Sequence, residues 1–105
     1  PVAWPDGKPL ALWINLSIQH FPLSGDKPLV APLGALTMPY PDLRHYTLRD
    51  YGNRVGIYRL LKLMEHYRAS PSLAISGALA ERYPQLLERL AKTSSEWLGH
   101  GWNML

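Results

Sequence analysis

The chain has 105 residues, 47% hydrophobic and 18% charged, which suits one small globular domain and excludes a disordered chain. It has no cysteine, so disulfides and thiolate metal sites are excluded, and a cytoplasmic setting is expected. Net charge is +3 with a pI near 9.4, but Arg44, Arg49, Arg54 and Arg59 recur every five residues, which does not hold one helical face. No nucleic-acid partner is therefore expected. No stretch approaches the apolar length of a membrane span, and no secretory signal is visible, so no membrane partner is expected either. The chain begins at Pro1 rather than Met, so a processed or missing start is expected.

Residues 1–9, PVAWPDGKP, carry a Pro-Asp-Gly turn signal and read as an irregular lead-in. Residues 10–18, LALWINLSI, are the best strand candidate. The run starts fully apolar and then alternates, with Ile14, Leu16 and Ile18 against Asn15, Ser17 and Gln19. That pattern predicts a central strand of an α/β sheet whose polar face opens at its C-terminal end. Residues 21–46 hold Pro22, Pro28, Pro32, Pro39 and Pro41, with Gly25 and Gly34. They read as a long Pro-rich loop, either a functional arm or disordered.

Residues 47–67 predict a helix, irregular at its start. Thr47 is the expected cap, with Asp50 three positions on, and Gly52 and Gly56 weaken the early turns. Ile57, Leu60, Leu61, Met64 and Tyr67 form an apolar stripe meant for a sheet. Residues 72–76, SLAIS, predict a second strand. Residues 77–93 predict a helix in two pieces, with Pro84 in the first turn of the second. Residues 95–99, SEWLG, predict a third strand. The order is β, long loop, α, β, α, β, which argues for parallel strands with covering helices and right-handed crossovers.

In α/β sheets, functional groups gather at the C-terminal strand ends. Two places qualify. Gln19 and His20 follow the first strand; His100, Gly101, Trp102 and Asn103 follow the third. Two imidazoles arriving there suit proton transfer or a metal, and equally suit hydrogen-bonded structural histidines. His45 falls in the Pro-rich loop, and His66 near a helix C-terminus where a cation meets the dipole, so both read as structural. The segment DYGNRVG offers Asn53 and Arg54 for binding an anionic or carbonyl group. Trp102 is the tryptophan to watch, because it closely follows His100.

The stretches WPDGKPLALWINLSIQHFPL, DYGNRVGIYRLLKLMEHY, ALAERYPQLLERL and SSEWLGHGWNML span nearly the whole chain in order. In them the sequence resembles the polysaccharide deacetylase (NodB-homology) superfamily, and within it the allantoinase-type and urate-catabolism branch. The resemblance implies a partial (β/α) barrel of deacetylase type, with residues 1–105 as its single, incomplete N-terminal portion. It also implies hydrolysis of a non-peptide carbon–nitrogen bond in a small amide or an N-acetylated carbohydrate. The wider family ends its first strand in two aspartates, a general base and then a metal ligand; here they match Gln19 and His20. The second family motif has two metal-binding histidines; the first matches His100 and the second falls on Met104.

These departures shape the expected chemistry. An amide such as Gln19 has no useful acid–base equilibrium, and a thioether does not replace an imidazole on zinc. A metal-independent hydrolase is therefore expected, with no cofactor; a metal held by His20 and His100 is the alternative. The expected catalytic set is His100, His20 and Gln19; Asn53, Arg54, Trp102 and Asn103 are expected to bind substrate. The competing expectation is a non-catalytic relative that acts as a binding or scaffold subunit. An incomplete barrel also leaves apolar surface, which predicts self-association or a complementary chain.

Overall fold

The computed structural model describes residues 3–23 and 43–103. Three short strands form one sheet in the order β1-β2-β3: β1 (Asn15–Ile18), β2 (Ser72–Ile75) and β3 (Glu96–Gly99). Both pairings are parallel, with Ile18 opposite Ile75 and Ile75 opposite Gly99. The Pro-Asp-Gly lead-in forms a 3-10 turn at Pro5–Gly7, with Asp6 and Gly7 at positive φ. Asp tolerates that left-handed geometry better than most residues. The result is an α/β layer, as the alternating order predicts.

Between β1 and β2 a continuous helical rod runs from residue 43 to 67. It comprises α1 (Leu43–Tyr51), a π-helical turn (Gly52–Gly56) and α2 (Ile57–Tyr67). The two glycines that weaken an α-helix bracket the wider turn. Between β2 and β3 lie α3 (Gly77–Arg82) and α4 (Pro84–Leu90). Pro84 opens α4 as expected, because it carries no N–H for the helix to leave unpaired.

Register and the two-residue side-chain period decide which face each strand residue takes. Leu16 and Ile18 share a face with Leu73 and Ile75. Ile57 and Leu61 from α2, Leu79 from α3, and Leu86 and Leu90 from α4 join that face in one core. Each buried leucine contributes about 1.5–3 kcal/mol relative to exposure. The opposite face carries Asn15, Ser17, Ser72, Ala74, Glu96 and Leu98. Trp13 Nε1 donates to Ser72 Oγ at 2.9 Å, and Ser72 Oγ donates to Glu96 Oε2 at 3.2 Å, so a polar line crosses it.

Several expectations are corrected. The first strand begins at Asn15, not residue 10, and it lies at an edge of the described sheet. Leu10, Leu12 and Trp13 are 77%, 80% and 73% exposed, so the apolar start is not buried between two faces. Local hydrophobicity cannot create a neighbour for a strand to pair with. The helix begins at Leu43, so residues 43–46 of the expected loop are helical; residues 24–42 lie outside the described residues. Thr47 is no cap: its hydroxyl bonds back to the carbonyls of Leu43 and Arg44 inside α1. In the expected stripe, Ile57 and Leu61 are buried, whereas Leu60 and Tyr67 are exposed. No helix among the described residues is long and apolar enough to cross a membrane.

Candidate functional site

The three parallel strands bring Gln19, Ser76 and His100 into one row just past their C-terminal ends. Adjacent strands stand about 4.8 Å apart, so Gln19 and His100 are about 10 Å apart at the backbone. Only two long side chains reaching over a small central residue bridge that gap. They do so here: Gln19 Nε2 lies 2.5 Å from His100 Nε2. Ser76 between them is fully buried, and its Oγ accepts the His20 backbone N–H at 3.1 Å. The ladder continues to this row, with Ser76 N donating to Ile18 O and His100 N donating to Ile75 O. Backbone bonding thus fixes the spacing that the side-chain contact needs.

The π-helical turn supplies the next layer. Asn53, 8% exposed, donates from Nδ2 to the Gln19 carbonyl at 2.8 Å. Asp50 is also 8% exposed. One of its oxygens accepts the Tyr83 hydroxyl, and the other meets Arg54 Nε at 2.9 Å. The Arg54 side chain is otherwise about half exposed. Arg82 Nη2 donates to the Tyr46 hydroxyl at 2.6 Å and packs by the Tyr83 ring. On the first helical turns, Arg49 lies 4.6 Å from the Phe21 ring centre.

No hydrogen bond or ring contact joins His20 and His100. His20 answers to a different neighbourhood. Burial and the Arg82 guanidinium push its imidazole below the ordinary 6.5, against a smaller opposite pull from Asp50. Trp102 folds back over α3, helped by positive φ at Gly101. Gly77 N donates to Gly101 O at 2.9 Å and Ala78 N to Trp102 O at 2.7 Å, so the chain after β3 satisfies the first N–H groups of α3. A Cβ on Gly77 would lie 2.6 Å from Trp102 Cε3. Asn103 is half-buried, and Met104 lies outside the described residues.

His45 sits within α1 rather than in a loop, and His66 in the last turn of α2 meets the Tyr67 ring edge-on at 4.8 Å. The sequence reading passed over Ser76, Arg82 and Tyr83. The strand-end rule, applied to SLAIS as well, would have found Ser76. Nothing local marks Tyr83 as the partner of Asp50, 33 positions away. A cleft of about 330 Å³ lies beside Arg68, Pro71, Lys92 and Ser95, at the opposite end of the strands. No candidate residue lines it, so the strand-end row, not the cleft, is the candidate site.

Of the positions that the resemblance assigns to base and metal, Gln19 presents a neutral amide and His100 Nε2 meets the Gln19 side chain.

Among the described residues, parallel strands alternating with helices define a partial α/β fold, with polar side chains at the C-terminal strand ends. A scan against models of known families, a search of curated proteins and a search of solved structures each return no match.

Proposed function

We propose that the chain is the N-terminal part of a deacetylase-type (β/α) barrel and hydrolyses a non-peptide carbon–nitrogen bond without a metal. The observation that carries this is the Gln19–His100 contact at the strand ends. It unites the two positions that the resemblance assigns to the base and to the second motif. The sheet face opposite the leucine core would line the inside of such a barrel. The setting would be cytoplasmic, which a chain without cysteine suits.

In this reading a small amide or an N-acetyl group lies over the row, its carbonyl oxygen near the Gln19 N–H. The Gln19 amide turns to that oxygen and frees His100 Nε2, which takes the proton of a water as it adds to the carbonyl carbon. His100 then passes the proton to the leaving nitrogen, the C–N bond breaks, and a carboxylic acid and an amine depart. Arg54, Trp102 and Asn103 would contact the rest of the substrate. Asn53 would act through the Gln19 backbone. The exposed β3, with Trp97 and Leu98 on its two faces, would meet a second copy or a complementary chain that extends the sheet.

Purified chain tested for ring opening of cyclic ureides, read as the new carboxylate, and for acetate release from N-acetylhexosamines decides the matter. Hydrolysis that falls about 10²–10⁴-fold in His100→Ala is expected. Equal rates in that variant, or none in either, would overturn the hydrolase. A second reading is favoured by one observation, the lack of an ionisable group at Gln19: a non-catalytic relative that binds the same ligand. It gains if Gln19→Glu creates hydrolysis that the parent lacks.

A further inference from the structure

We infer that the π-helical turn at Gly52–Gly56 holds His100 in a single tautomer, with Asn53 as the positioning residue and Gln19 as the link. The inference begins at Asn53. Its side chain is buried, and its amide donates to the Gln19 carbonyl at 2.8 Å. A buried amide spent on a backbone carbonyl anchors that backbone and does not read a ligand. The π turn places it there. A helix carrying one extra residue per turn shifts the angular position of its side chains, and such turns recur at functional sites. The carboxylate of Asp50, one turn earlier, is tied to Tyr83 between α3 and α4 and to Arg54 within the turn.

With its carbonyl held, Gln19 aims its side-chain amide along the row. The Gln19 Nε2 that approaches His100 is an N–H donor and has no lone pair to offer. His100 Nε2 must therefore be the acceptor, and the neutral ring carries its proton on Nδ1. Free neutral imidazole side chains favour the other tautomer, so the protein has to impose this one. The consequence is chemical: Nε2 stays unprotonated, its lone pair held by the Gln19 N–H, and it can take a proton from water once that amide turns to the substrate. Gln19, which cannot be a base, sets the form in which His100 can be one.

The use given to this tautomer rests on the proposed hydrolytic role, but the tautomer is read without substrate, so the two can fail separately. The experiment is a two-bond proton–nitrogen NMR correlation of the imidazole rings at about pH 8.5, where free imidazole is neutral. The His100 signals are identified by their loss in His100→Ala. Wild type is expected to show the protonated-type nitrogen at Nδ1 and the unprotonated-type nitrogen at Nε2. Gln19→Met keeps the length and removes the donor; it should move the proton to Nε2. Asn53→Asp keeps the shape, removes the anchor and should mix the two tautomers. A wild-type ring protonated on Nε2 would overturn the inference, because Gln19 would then present its oxygen. So would an unchanged ring in Gln19→Met or Asn53→Asp.

Discussion

Tyr83→Phe is the sharpest test of how the site is supported. The substitution keeps the ring against the core and deletes one hydroxyl. That hydroxyl donates to Asp50, whose carboxylate lies buried beneath the π turn. A hydrogen bond to a charged group is worth about 1.5–3 kcal/mol. Arg54 still meets the other carboxylate oxygen at 2.9 Å, but its side chain is half exposed and screened. A loss of about 2 kcal/mol is therefore expected, a large fraction of the roughly 5–15 kcal/mol that holds a domain folded. Urea unfolding followed by tryptophan fluorescence reads it as a midpoint lowered by about 1–2 M, taking ordinary slopes for a small protein. Asp50→Asn and the double variant should show coupling of about 1 kcal/mol or more. A loss under about 0.5 kcal/mol, or additive effects, would refute the claim that Asp50 depends on Tyr83. The alkaline limb gives a second reading. Burial and the Asp50 contact push the Tyr83 hydroxyl above the ordinary 10.0. A phenol raised in the fold leaves stability intact below about 10 and erodes it as pH rises through the folded value. Tyr83→Phe should abolish that erosion.

Two further predictions concern the strand ends. Gly77→Ala puts a methyl 2.6 Å from Trp102 Cε3, so the indole must move. A cost of about 1–3 kcal/mol and a changed tryptophan emission are expected, with the cost smaller in a Trp102→Ala background. Equal costs in both backgrounds would mean that Trp102 does not pack there. His20 is held below the ordinary 6.5 in the fold, so the unfolded chain binds its proton more readily. Its contribution to stability is full above about 6.5 and is lost as pH falls through the folded value. His20→Gln should flatten that acid limb in unfolding curves measured across it, and an unchanged limb would show that other groups cause it.

The alternating order of strands and helices was legible in the sequence because each element carries its own local signal. SLAIS is a short apolar run, Pro84 marks a helix start, and Ile57 and Leu61 keep helical spacing on the buried side of their rod. The strand-end rule likewise pointed to Gln19 and His100 before any contact was known. Local signals failed where pairing decides. Leu10, Leu12 and Trp13 look like strand, yet backbone groups extend into a sheet only where a neighbouring strand meets them, and β2 begins at Ser72 opposite Asn15. Thr47 looks like a cap, yet the helix already runs beneath it from Leu43.

The site divides in the same way. Residue types at the strand ends are legible in the chain, and with them the fact that Gln19 brings no base. Which of them touch depends on the folded arrangement. Register sets Gln19 and His100 in one row across Ser76. The π turn sends Asn53 to the Gln19 backbone, and the charges of Arg82 and Asp50 bear on His20. Composition and period are properties of a few adjacent residues. A contact between residues 81 positions apart is set by where two strands pair, and no short window of sequence contains it.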